Sequence, residues 1–368
     1  MIICIPEYNN FNFNNCVDKI AALENIIKAY GEGKHYVFMP RKLLRYIEKN
    51  EGNIFGLITR QYAASLATIQ TELRQLLEHT CFYIEVDFRG ISHSTLQSFN
   101  GTDKITVGYN FFLDSENSQK VSIMGEDSTD VEFYKILSQY YMSSQRIRSS
   151  VLSYKPENGG GQNTSKNFTG LAQSGRVCLC LVDNDKSHPN KNPGGTSLAF
   201  KETQIYNGKV IIIDAHEAEC LIPIPILRDT LKEKKYSKEH LTSCAIIEDL
   251  VAIDPSSRLY FDHKEGLSIK KAIQLDSEYG DYWVPILIKN EPTLATNSCV
   301  KDNECISSCK CFNVDGFGQN ILVNAIDTLK TRHVTQKNMQ LDSLLEEQWM
   351  HIGKIFFSWA CAPRKTRI

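Results

Sequence analysis

The sequence predicts an α/β fold: a central parallel sheet flanked by helices, an α+β module before it and a mainly helical region after it. Three observations carry this expectation. From Val121 onward, short apolar runs alternate with helical segments, as in a sheet whose strands are joined by helical crossovers. Three of those runs, Val121 to Met124, Val177 to Val182 and Lys209 to Ile213, are strand-like and each leads into acidic residues. The chain is 368 residues long, more than a single hydrophobic core usually serves.

Taken in order, residues 1–117 combine a basic amphipathic stretch, RKLLRYIEK from Arg41, a helical pattern from Arg60 to His79 and an alternating strand, CFYIEVDFRG. This α+β module shows no evident site. The polar stretch LDSENSQK, Leu113 to Lys120, marks a boundary, so residues 118–230 are read as the central domain and 231–368 as a helical elaboration. In the last part, KEKKYSKEH is a charged surface segment and Leu341 to Trp359 an amphipathic helix, with Trp349, Ile352, Phe356 and Trp359 on one face. Such a stripe is core or a partner-docking surface. No internal repeat or low-complexity tract is found.

Hydrophobic residues make up 42% and charged residues 23%, the balance of a globular chain, and no run reaches the roughly 18 apolar residues of a membrane-spanning helix. The opening segment MIICIPEYNNFNFNN lacks the basic flank and small-residue cleavage site of a secretory signal, so a cytoplasmic location is expected. Cys4, Cys81, Cys178 and Cys180, among 12 cysteines, fall in apolar runs where a thiol packs as a small hydrophobe, which suits a reducing compartment. A net charge of −2 confines any nucleic-acid contact to local basic patches.

The chemistry-bearing residues gather at strand ends. In VSIMGEDSTDVEFYKIL, Glu126 sits at the C-terminal edge of a strand and Asp130 in the first turn of the next helix, where it can equally serve as a cap. VCLCLVDNDKSH ends in Asp183 and Asp185. In an extended segment these share a face, and like charges that close favour a bound cation of the magnesium or manganese kind; a solvated acidic turn is the alternative. KVIIID ends in Asp214 and is followed by His216, Glu217 and Glu219. Ligands of open parallel sheets bind beyond the carboxyl ends of the strands, so the three acidic ends are expected to converge. The glycine run within NGGGQNTSKN could present amides to a phosphate or be a plain loop. No P-loop pattern occurs.

The order Gly125-Glu126-x-x-x-Asp130, a glycine-rich turn, and a strand ending in Asp183-x-Asp185 resembles the Toprim domain of topoisomerases, primases and OLD-family nucleases. HEAECLIPIPIL is similar to the third acidic segment of OLD-type defence nucleases, with Cys220 where a polar residue is usual, and YFDHKEGLS to a downstream motif bearing a lysine. The resemblance covers Val121 to Ser268 and implies a metal-dependent nuclease, an effector of bacterial antiviral defence acting on DNA or RNA. It implies Mg2+ or Mn2+ held by Glu126, Asp183 and Asp185, with Asp130 and Glu217 or Glu219 completing the shell. Glu126 is then also a candidate general acid or base, and Lys264 neutralises charge at the scissile phosphate, with Lys186 and His188 as weaker candidates. A partner ATPase or other defence component is implied, since the chain lacks a P-loop, and a homo-oligomer is compatible with it.

Cys299, Cys305, Cys309 and Cys311 could enclose Zn2+, although their spacing matches no common ribbon or finger, and free thiols are the alternative. Against the nuclease stands a non-catalytic interaction subunit that keeps a Toprim scaffold to dock a partner or nucleic acid. A primase or topoisomerase ranks last, because no tyrosine spacing singles out a nucleophile.

Overall fold

Short β-branched and aromatic runs build the first sheet. The computed structural model describes residues 1–8, 13, 16–50, 53–90, 95–200, 207–303, 312–332 and 334–366. Strands β1 (Ile2–Cys4), β2 (Tyr36–Phe38), β3 (Phe82–Asp87), β4 (Thr95–Phe99) and β5 (Thr102–Gly108) lie in the order β2-β1-β3-β5-β4. β1, β2, β3 and β5 run parallel, and β4 pairs antiparallel with β5. Along β3 burial alternates, Phe82, Ile84 and Val86 inward against Tyr83 and Glu85, as the period of a strand requires.

Helices α1 (Val17–Gly31), α2 (Arg41–Lys49) and α3 (Leu57–Glu78) cover this sheet. The basic stretch from Arg41 is α2, which buries Leu43, Leu44 and Ile47 and keeps its cations in solvent. It stops at Asn50, whose backbone turns left-handed (φ 50°) while its side chain accepts the Phe55 amide at 2.7 Å.

The second sheet contains β6 (Val121–Gly125), β8 (Tyr154–Asn158), β9 (Cys178–Val182) and β10 (Gly208–Ile212), in the order β10-β9-β6-β8. β7 (Ser150–Leu152) pairs separately and antiparallel with Cys361–Pro363. The three expected strands are present as β6, β9 and β10, and every residue of β6 and β9 is buried, as in a parallel sheet covered on both faces. α4 (Ser128–Ser144) and α5 (Thr164–Gln173) belong to this sheet's connections.

The chain forms two units, Met1–Leu181 with Glu202–Ile211 and Met350–Ile368, and Val182–Lys201 with Ile212–Trp349. The chain passes between them at the ends of β9 and β10 and within its last helix, Ser343–Ala360. In the first unit, Ile352, Phe356 and Trp359 of that helix are core, and the Trp359 ring stacks on Phe82 at 3.7 Å. The apolar stripe is therefore buried within the chain.

The second unit adds α6 (Gly195–Leu198), α7 (Ile224–Glu233), α8 (Lys238–Ile253), α9 (Ile269–Tyr279) and α10 (Trp283–Asn290), with an antiparallel pair β11 (Gly266–Ser268) and β12 (Asn313–Asp315). Asp276 fastens the start of α10 by accepting the amides of Trp283 at 2.9 Å and Val284 at 2.8 Å. Trp349 is fully buried, its indole N–H donating to the Leu221 carbonyl at 2.8 Å. No helix among the described residues is long and apolar enough to cross a membrane.

Candidate functional site

Two short segments of the second unit interlock to make a buried charged cluster. After β10 the chain enters a tight helical turn, Ala218–Leu221, which hides Glu217 (6% exposed), Glu219 (3%) and Cys220 (0%). Against it lies the Phe261 to Glu265 loop. Lys264 Nζ stands 3.0 Å from a Glu217 carboxylate oxygen and 3.0 Å from one of Glu219. The other Glu217 oxygen accepts the His263 amide at 2.7 Å, and the Cys220 thiol donates to the Phe261 carbonyl at 3.3 Å. Beside them, Asp262 pairs with Lys271 at 3.2 Å and faces the His216 ring at 3.8 Å.

Burial and the neighbouring Glu219 push the Glu217 carboxyl up to about 7. Burial alone would lower Lys264, but the two carboxylates outweigh it and hold the ammonium well above its ordinary value. Asp262, despite its burial, is drawn well below the usual carboxylate range by the His216 ring, the Glu265 amide and Lys271. Burial, then Arg258, lowers His263 to about 3, so that ring is neutral. The Cys220 thiol is raised by burial, then by Glu217, Glu219 and Asp183, which places the Asp183 charge in the same neighbourhood.

Two groups of side chains here could hold a metal ion: His216, Glu217 and Asp262, and Glu217, Cys220 and His263. Glu217 belongs to both. The first offers hard carboxylate oxygens and one imidazole, a donor set suited to a divalent cation; the second includes a thiol that burial keeps protonated, which a hard cation does not favour.

The remaining sequence candidates are placed as follows. Asp183 and Asn184 are buried at the end of β9, but Asp185 takes a left-handed backbone (φ 55°) and packs on Gly194, so the two-residue alternation of a strand does not extend to it. Asp214 is exposed. Lys186 is half-buried, and the loop holding it is braced by its own amide donating to the Asn184 side chain at 2.8 Å. His188 is a satisfied core residue: one ring nitrogen lies 2.9 Å from the Gly280 carbonyl, and the other accepts the Asn190 amide at 3.1 Å. In the first unit, Asp127 and Asp130 form a capping box on α4, with Asp130 accepting the Asp127 amide at 2.9 Å. Glu126 is half-buried, and its backbone carbonyl accepts the amides of Gly160 at 3.0 Å and Gly161 at 3.2 Å. Those amides thus brace the exit from β6. Of the four cysteines read as a zinc set, Cys299 is buried; Cys305, Cys309 and Cys311 lie outside the described residues.

Sequence reasoning did not select His216, Asp262 and His263 as ligand candidates. Their signal was present: HEAEC and DHKE each hold several ligand types within five residues. What was missing was the approach of one segment to the other. No protein family, curated protein or solved structure matches the chain.

Proposed function

We propose that this chain is a divalent-metal-dependent nuclease of the Toprim type, hydrolysing phosphodiester bonds of DNA or RNA as an effector of bacterial antiviral defence beside a partner ATPase. The observation that carries the reading is the pair of buried carboxylates, Glu217 and Glu219, aimed at one cation position, with Asp262 and His216 adjoining. Burying anions in this way is costly unless a positive charge is always at hand. β6 and β9, the strands that lead into Glu126 and Asp183, lie adjacent and parallel in the second sheet.

In this reading Glu217, Asp262 and His216 hold Mg2+ or Mn2+, with Glu219 and Asp183 as nearby acids. When bound, such an ion polarises a phosphoryl oxygen and makes hydroxide from water near neutral pH. Lys264 supplies a positive charge that stays on at every working pH and can offset charge on the scissile phosphate. His263 fixes Glu217 through its backbone amide, while its neutral ring adds no charge.

A non-catalytic scaffold that docks a partner is favoured by one observation, that Lys264 already pairs with both glutamates. Cleavage assays separate the two. Glu217→Gln combined with Asp262→Asn should abolish metal-dependent cleavage of DNA and RNA while circular dichroism stays unchanged. Undiminished cleavage by that variant would reject the proposed site.

A further inference from the structure

The first sheet carries a separate feature. Its strand order places β1 between β2 and β3, so the chain leaves β1 toward one side and later returns to the other. In open α/β sheets such a reversal opens a crevice beyond the carboxyl ends of the strands. A cleft of about 820 Å³ reaches from that place back along the sheet, lined by residues that end or follow β1 and β2, by one flank of α3, by Tyr83 and Glu85 of β3, and by Thr80 and Thr102 at the amino ends of β3 and β5. That volume suits a small molecule with a ring and a charged group.

The charges on its wall are unevenly used. Glu85 is paired with Lys104 at 3.2 Å and Glu7 with Lys42 at 3.4 Å. Arg41 and Arg74 also line the cleft, and neither makes an ion pair among the described residues. Arg41 reaches across to α3, donating to Thr71 Oγ1 at 3.3 Å, and Arg74 lies one turn further on the same helix face. The two guanidinium groups therefore flank one patch of the cleft. Arg41 and Lys42 also open α2, which has no acidic residue in its first turn and no side-chain cap. Cations at the positive end of a helix are disfavoured, and an anion lodged there would relieve them. Beside the arginines, Phe38, Met39 and Leu77 provide an apolar wall. The loop after β1, Ile5-Pro6-Glu7, has no glycine to let backbone cradle a phosphate, which leaves that task to the arginine forks.

From this arrangement we infer that the first unit binds a phosphorylated small molecule of the mononucleotide class, its phosphate between Arg41 and Arg74 and its ring against Phe38 and Leu77. This goes beyond the proposed nuclease reading and is independent of it.

Calorimetry on the full chain tests the inference, with AMP and inorganic phosphate as probes. AMP should bind one to one, and phosphate alone at least about tenfold more weakly because it cannot use the apolar wall. Arg41→Ala with Arg74→Ala, both exposed positions, should weaken AMP by roughly tenfold or more without moving the thermal midpoint. Absence of saturable AMP binding, equal affinity for phosphate and AMP, or an affinity unmoved by the double substitution would each overturn it.

Discussion

His35 in the first unit and the Glu217 cluster in the second bury titratable groups in opposite ways. In the first, His35 is fully buried with one ring nitrogen 2.7 Å from the Gln119 carbonyl, and burial lowers it to about 3, so it is hidden as a neutral ring. In the second, Glu217, its carboxyl raised to about 7, and Glu219 are hidden against the Lys264 ammonium, an arrangement tolerable only because the three are together. A neutral buried group asks little of its surroundings, whereas a buried ionic cluster must be held by a specific approach of chain segments. The contrast singles out the second cluster as the place where the fold spends stability on charge.

The largest effect expected to sharpen this contrast comes from Lys264→Met. Removing the shared cation strands two buried carboxylates and should cost about 3 kcal/mol in metal-free buffer, read by denaturant unfolding. Added Mn2+ should restore much of the loss if a metal can take the lysine's place, and none if the cluster is only a salt bridge.

A smaller effect belongs to the neutral histidine. Below pH 6.5 the unfolded chain protonates His35 while the folded chain does so only near 3, so stability falls as pH drops through that window. At pH 5 the loss is about 2 kcal/mol relative to pH 7. His35→Gln, which keeps a donor toward Gln119, should shrink the difference in unfolding free energy between those two pH values by about that amount. An unchanged pH dependence would show that His35 is not neutral in the fold.

Much of this was legible in the sequence. The runs that became β6 and β9 read as buried strands, because CLCLV is wholly apolar and VSIM holds one small hydroxyl, Ser122, which pairs with Glu157. Glu217, Glu219 and Lys264 were selected as site residues, although Lys264 was expected at a phosphate and stands instead between two carboxylates. That pairing depends on the Phe261 loop folding back on the Glu217 turn, a long-range approach that no local pattern encodes. The shared face of Asp183 and Asp185 failed for a local reason, the left-handed backbone at Asp185. The arginine cleft was invisible because its walls come from four strands and two helices, and Arg41 read simply as the start of a basic helix.

Titration of Mn2+ into the intact protein bears most directly on the buried carboxylates as a cation site. Stoichiometric binding that is lost in Glu217→Gln with Glu219→Gln, and strengthened in Lys264→Met, is the result this account predicts. No saturable binding to either the native chain or Lys264→Met would contradict it and leave the cluster as an internal ion pair.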